Sequence, residues 1–222
     1  QFLYFIGHRS MGLGDRWSAF RSWLYDIVIV SMTAVWYRSF LVRVPVNAHV
    51  LDVGIGTATS LLHNRDIVVS KRLHVVGTDI DEDYVRAANA NVARCKLEDQ
   101  VRIVCTPKYV GGPFDAVYFS GSFMIIPDKA RYLADMAAML RSKEHSRVYF
   151  SQTLEHPGVV GRFMVWFKPM LKWLTTIDFG TVTFRKDFER YVTEAGLVVE
   201  DVHVVKPGRF RDQVLVVAKI RQ

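Results

Sequence analysis

Fourteen residues constrain this chain more than any others: His49-Val50-Leu51-Asp52-Val53-Gly54-Ile55-Gly56-Thr57-Ala58-Thr59-Ser60-Leu61-Leu62. An apolar strand reaches an acidic residue, passes through a turn with glycine at alternate positions, and runs into the start of a helix. Gly54 and Gly56 lack a Cβ, so the chain can turn tightly there and its amides can approach a ligand, while the following helix offers unpaired N–H groups. That is a nucleotide-type pocket in outline. A dinucleotide fingerprint would read G-x-G-x-x-G and place glycine where Thr59 stands, and it lacks the early acid present here as Asp52. The pattern D-x-G-x-G-T points to a different ligand.

These residues resemble motif I of the class I S-adenosylmethionine-dependent methyltransferases, in which an acid and a glycine turn hold the amino-acid end of the cofactor. A second apolar strand, 73–78, ends at Asp79, which lies 79 − 52 = 27 positions after Asp52. In the family such an acid takes the ribose hydroxyls, since a carboxylate accepts two hydrogen bonds from a vicinal diol and a strand's end holds it rigidly at the crevice. Capping of the next helix is the bland alternative for Asp79. Residues 114–123 look like the family's fourth strand and following loop, and 184–205 like its closing helix and strand. The resemblance spans roughly residues 45 to 220. It implies S-adenosyl-L-methionine as cofactor, held by Asp52, Gly54, Gly56, Thr57, Asp79 and Ile80, with Thr106, Ser120 and Gly121 along the crevice. Two departures stand out: the third glycine of the turn is Ala58, and no acid follows the third strand, where the chain reads Val104-Cys105-Thr106-Pro107.

Strands are expected at 49–53, 73–78, 101–105, 114–119, 147–152, 197–205 and 213–220, with helices from about 57, at 82–95, 129–140 and 184–195. Their alternation implies an α/β, doubly wound, mostly parallel seven-stranded sheet of Rossmann-like class, with the ligand crevice outside the strands' C-terminal ends. Gly196 is expected to stop the last helix, and the last two strands to pair antiparallel. At 222 residues, half of them hydrophobic, the chain suffices for one such domain and not for a second.

Ahead of the domain, which begins near residue 45, residues 1–44 read as a helical covering arm. Trp17, Phe20, Trp23, Leu24, Ile27, Val28, Met32, Val35 and Trp36 recur at helical spacing, and Asp26, Ser31 and Thr33 interrupt the run before it reaches the roughly 18 apolar residues of a membrane span. Two cysteines, Cys95 and Cys105, make no disulfide framework, so a reducing, cytoplasmic setting is expected, and no metal-ligating cluster is visible. The formal charge of +7 favours anionic surfaces, phospholipid or nucleic acid, or serves solubility alone.

The most individual stretch is an apolar insert at 157–183. Val160, Phe163, Met164, Phe167, Leu171 and Leu174 form one helical stripe and Trp166, Met170 and Trp173 a second, with Arg162, Lys168 and Lys172 interspersed and Pro169 dividing the run. One stripe suffices for docking; the surplus suits a lid over a greasy substrate or a peripheral membrane contact, and a fully buried helix is the alternative. Candidate bases are His156, after the fifth strand, and Tyr25 in the arm. The expected enzyme methylates a small, apolar or lipid-like acceptor, in layout like the quinone and phospholipid methyltransferases. RNA or protein methylation and a non-catalytic cofactor-binding scaffold are the alternatives.

Overall fold

The computed structural model describes residues 30–156 and 183–221. Seven strands form one sheet: β1 (His49–Val53), β2 (His74–Asp79), β3 (Val101–Cys105), β4 (Ala116–Ser120), β5 (Arg147–Glu155), β6 (Leu197–Lys206) and β7 (Arg211–Ile220). Their order is β3-β2-β1-β4-β5-β7-β6. The first five run parallel, and β7 runs antiparallel to both β5 and β6, as expected for the final pair. The order reverses between β1 and β4, so the C-terminal ends of these neighbours open a crevice.

The helices are α1 (30–41 within the described residues), α2 (Thr59–Leu62), α3 (Arg65–Ser70), α4 (Glu82–Arg94), α5 (Lys129–Ala137) and α6 (Arg185–Glu194). Because side chains alternate along a strand, the sheet has two buried faces. One gathers Tyr37, Phe40 and Leu41 of α1 with Val50, Tyr118, Tyr149 and Leu215, and the Phe40 ring stacks on Tyr118 with centroids 4.0 Å apart. The other gathers Leu51, Val53, Phe119 and Phe150 with Phe123, Leu133 and Phe188. Strand β4 is buried on both faces, which is why its sequence is a continuous apolar run.

The single helix expected from about residue 57 is two. Asn64 is buried at the break, and its amide donates to Ala34 O at 2.9 Å and Ser60 O at 3.0 Å, tying the junction to α1. Strand β5 runs to Glu155, three residues beyond the expected end, because β7 pairs with it as far as Glu155 opposite Arg211. Helix α1 continues the expected arm and buries Trp36, Tyr37, Phe40 and Leu41 against the domain. Gly196, with φ +78, follows α6 as its stop. The insert at 157–182 and the arm before residue 30, Tyr25 included, lie outside the described residues. Glu155 N donates to Thr183 O at 2.9 Å, so the chain leaves and re-enters at the same end of β5. Among the described residues no helix is long and apolar enough to cross a membrane.

Candidate active site

The turn after β1 is held from β2. Gly54 N and Ile55 N donate to Thr78 O at 2.8 and 3.0 Å, and Gly56 N donates to Asp79 Oδ2 at 2.9 Å. Gly54 and Gly56 adopt φ +77 and +60, in the left-handed region. A Cβ on Gly54 would lie 2.6 Å from Ser122 Cβ, whereas one on Gly56 would meet nothing within 4 Å. Gly54 is thus closed in by protein, and Gly56 borders open space. Ala58, at the third-glycine position, also takes a left-handed φ of +59 while buried, a strain of roughly 1–2 kcal/mol for an alanine.

Asp79 does not cap α4. That role belongs to Asp81, which accepts from Asp83 N at 2.9 Å and Tyr84 N at 3.3 Å. Asp79 instead sits between turns, its Oδ2 on Gly56 N and its Oδ1 accepting from Asp81 N at 3.1 Å. Each oxygen keeps a second acceptor position for a ligand. Ile80 follows as an exposed side chain, and Thr106 N donates to Asp79 O at 2.9 Å, so Asp79, Ile80 and Thr106 share one corner. Thr57 stands at the mouth of the turn, its hydroxyl 2.8 Å from that of Thr59 and its carbonyl accepting from Asn91.

Asp52 is 1% exposed, and Tyr37 of α1 donates to its Oδ2 at 2.7 Å. Its Oδ1, also buried, has no hydrogen-bond partner. Burial pushes the carboxyl up from an ordinary 3.8 to about 7, opposed by the Tyr37 hydrogen bond and reinforced by the negative field of Asp79. Tyr37 itself is raised well above its usual range, first by burial and then by Asp52.

Across β1, Ser120 pairs in register with Ser151, and Gly121 N donates to Ser151 O at 2.8 Å. Trp36 Cζ3 is 3.4 Å from where a Gly121 Cβ would be, and its indole N–H donates to Gln213 Oε1 at 3.0 Å. Asp52, Gly54, Gly56, Thr57, Asp79, Ile80, Thr106, Ser120 and Gly121 are therefore brought to one edge. His156 is not brought so close. It follows β5 five residues past Ser151, about 16 Å along a strand, and pairs through Nε2 with Asp212 Oδ2 at 2.8 Å. That hydrogen bond raises its pKa above 6.5.

Sequence reasoning missed Tyr37, Ser122 and Gln213. Tyr37 adjoins Trp36 in the helical stripe, and a polar-tipped aromatic there was the available signal. Ser122 Oγ donates to Val53 O at 2.5 Å, bracing the glycine turn from β4, and nothing local to residue 122 announces that.

Residues 50–143 match the family model of a methyltransferase domain. Among curated proteins the sequence has no match. Solved structures of similar fold include a SAM-dependent methyltransferase from Aquifex aeolicus, at 17% identity and a TM-score of 0.59, covering 80% of this chain and 84% of that one. Another is geranyl diphosphate C-methyltransferase from Streptomyces coelicolor A3(2), with Mg2+, geranyl diphosphate and S-adenosyl-L-homocysteine, at 14% identity and a TM-score of 0.65, covering 85% and 78%. The cyclase SpnF is similar too, at 13% identity and a TM-score of 0.63, covering 80% and 76%. A cyclase on this fold shows that the architecture alone does not choose a reaction, and here the choice rests on the matched domain. The match over residues 50–143, on a fold shared with S-adenosylmethionine-dependent methyltransferases, supports a methyltransferase with S-adenosylmethionine as its cofactor.

Proposed function

We propose that the chain transfers the cofactor's methyl group to a small, apolar or lipid-like acceptor met at the C-terminal ends of β4 and β5. The observation that carries this is the common anchorage of the two apolar segments. Helix α1 packs Trp36 beside Gly121, and the insert leaves and returns at Glu155 and Thr183, both at the crevice end of the sheet. Near Gly121 the described side chains include the neutral Trp36, Ser120, Ser151 and Gln213, and the charged Glu155 and the His156–Asp212 pair lie farther along β5. A charged acceptor would call for convergent arginines or lysines, and neutral walls suit an apolar one. The neighbour that bears geranyl diphosphate in its name makes an isoprenoid-like chain a reasonable class to try first.

The residues present fit the cofactor. Gly56 faces open space, Asp79 keeps acceptor capacity suited to a ribose diol, and Asp52 Oδ1 lacks a donor. When bound, the cofactor supplies an activated methyl on a sulfonium, so the protein's task is chiefly to orient acceptor and donor in line. Where the acceptor must lose a proton, His156 is the proposed base among the described residues only for an acceptor that extends along β5 to reach it, with Tyr25 outside them. Asp212 holds the His156 proton, so a rate depending on that base rises with pH until it passes a value above 6.5.

Labelled cofactor supplied with quinone, isoprenoid, phospholipid, RNA and protein fractions tests the acceptor class. Label in an apolar small molecule is expected; label in RNA or protein alone overturns the proposal. For the ribose, Asp79→Ala is expected to raise the cofactor's dissociation constant 10- to 100-fold, about 1.4–2.8 kcal/mol, since hydrogen bonds to a charged group contribute roughly 1.5–3 kcal/mol each. An unchanged constant by calorimetry would remove Asp79 from the site.

A further inference from the structure

We propose that Tyr37, from the N-terminal helix, is a positioning residue for the cofactor: it holds Asp52 through Oδ2 and so leaves Oδ1 to receive the cofactor's α-ammonium. The inference rests on the placement of S-adenosylmethionine at the β1 turn and extends it to a residue outside the matched domain, 15 positions before Asp52.

Three observations converge on it. The carboxylate is 1% exposed, so an oxygen without a donor there is costly unless a ligand supplies one. The groups facing Asp52 from the packed elements are Tyr37 of α1, Tyr118 of β4 and Asp79 of β2, and among the described residues no lysine, arginine or histidine pairs with it. No protein cation supplies a donor to Oδ1, and the ammonium at the amino-acid end of the cofactor can supply one where its carboxylate cannot. Lastly, Tyr37 is itself fixed. It is 3% exposed, and its ring meets Tyr118 edge-on at 5.0 Å, with Phe40 stacked on the far partner. A hydroxyl so held restricts the carboxylate to one orientation, whereas a free aspartate would have to be ordered during binding.

The consequence is a coupling between a proton and the cofactor. Asp52 tends to be neutral in the empty site, with its pKa near 7, and the ammonium favours the ionised form. Affinity should then fall about tenfold per pH unit below the carboxyl's pKa and level off above it. Because the Tyr37 hydrogen bond lowers that pKa, removing the hydroxyl should move the break upward.

The experiment is calorimetric titration with S-adenosylhomocysteine, which carries the same ammonium without turnover, from pH 5.5 to 8.5, on the wild type, Tyr37→Phe and Asp52→Asn. Phenylalanine keeps the ring against Tyr118, so folding is preserved. The wild type is expected to break near pH 7, and Tyr37→Phe about one pH unit higher, with roughly fivefold weaker binding at pH 7 and recovery towards wild-type affinity at pH 8.5. Asp52→Asn should be weak and flat. A Tyr37→Phe profile that breaks where the wild type does, or is uniformly weaker at every pH, overturns the positioning role while leaving the cofactor's placement intact. Wild-type affinity and pH dependence in Asp52→Asn would overturn the placement itself.

Discussion

Gly54→Val is expected to abolish detectable cofactor binding and to cost roughly 2–5 kcal/mol of folding stability. Two effects add. The backbone at Gly54 has φ +77, where an L side chain is strained by roughly 1–2 kcal/mol and a β-branched one is worst placed. A Cβ there would also stand 2.6 Å from Ser122 Cβ and 3.1 Å from its Oγ, and overpacking of that kind costs about 1–3 kcal/mol. Ser122 cannot simply step aside, because its hydroxyl is committed to Val53 O. Denaturant unfolding with and without cofactor measures both losses. Gly56→Ala is the informative companion: with nothing within 4 Å of its Cβ, it should cost only the backbone strain, yet still weaken the cofactor, because the added methyl enters the space reserved for the ligand. If Gly56→Ala binds the cofactor as tightly as the wild type, the turn is not the cradle.

Asp52→Asn is expected to make the cofactor-free protein more stable at pH 8, by at most about 4 kcal/mol, while weakening the cofactor. The carboxyl's folded pKa, about 7, lies above its unfolded value of 3.8, so the folded state binds this proton more tightly than the unfolded one. The stability associated with that proton is present in full below about pH 4 and lost progressively as the pH rises to about 7, after which the loss is constant. The gap between 3.8 and about 7, at about 1.36 kcal/mol for each pH unit, sets the ceiling. Asparagine is isosteric, accepts from Tyr37 and does not ionise. The stability difference between variant and wild type should therefore widen from pH 4 to pH 7 and flatten above. A difference independent of pH would mean that Asp52 ionises normally in the folded state. The result would be a familiar exchange, in which a group retained for binding weakens the empty protein.

The features legible in the sequence are those set by neighbours along the chain. The glycine turn could be read because left-handed dihedrals at alternate positions demand glycine, and Gly54 and Gly56 adopt them. The sheet could be read because parallel strands buried on both faces give continuous apolar runs, as in β4, and because helices separate the strands from 49 to 155 except between β3 and β4. Asp79 was marked by its place at a strand's end, though not its distinction from a helix cap, which required seeing Asp81 take that role two residues later.

Tertiary structure decided the rest, for reasons of distance along the chain. The break at Asn64 comes from bonds to Ala34 and Ser60; the extension of β5 comes from β7, more than fifty residues away; and Trp36 meets Gln213 across 177 positions. Helical periodicity announces that Trp36 and Tyr37 will be covered, but not by what. That Tyr37 reaches a carboxylate, and that this carboxylate retains one unpartnered oxygen, follows only when α1 is laid across the ends of β1 and β4. An amphipathic stripe specifies that a face is buried, while the groups it meets are chosen by the packing of elements that the stripe itself does not encode.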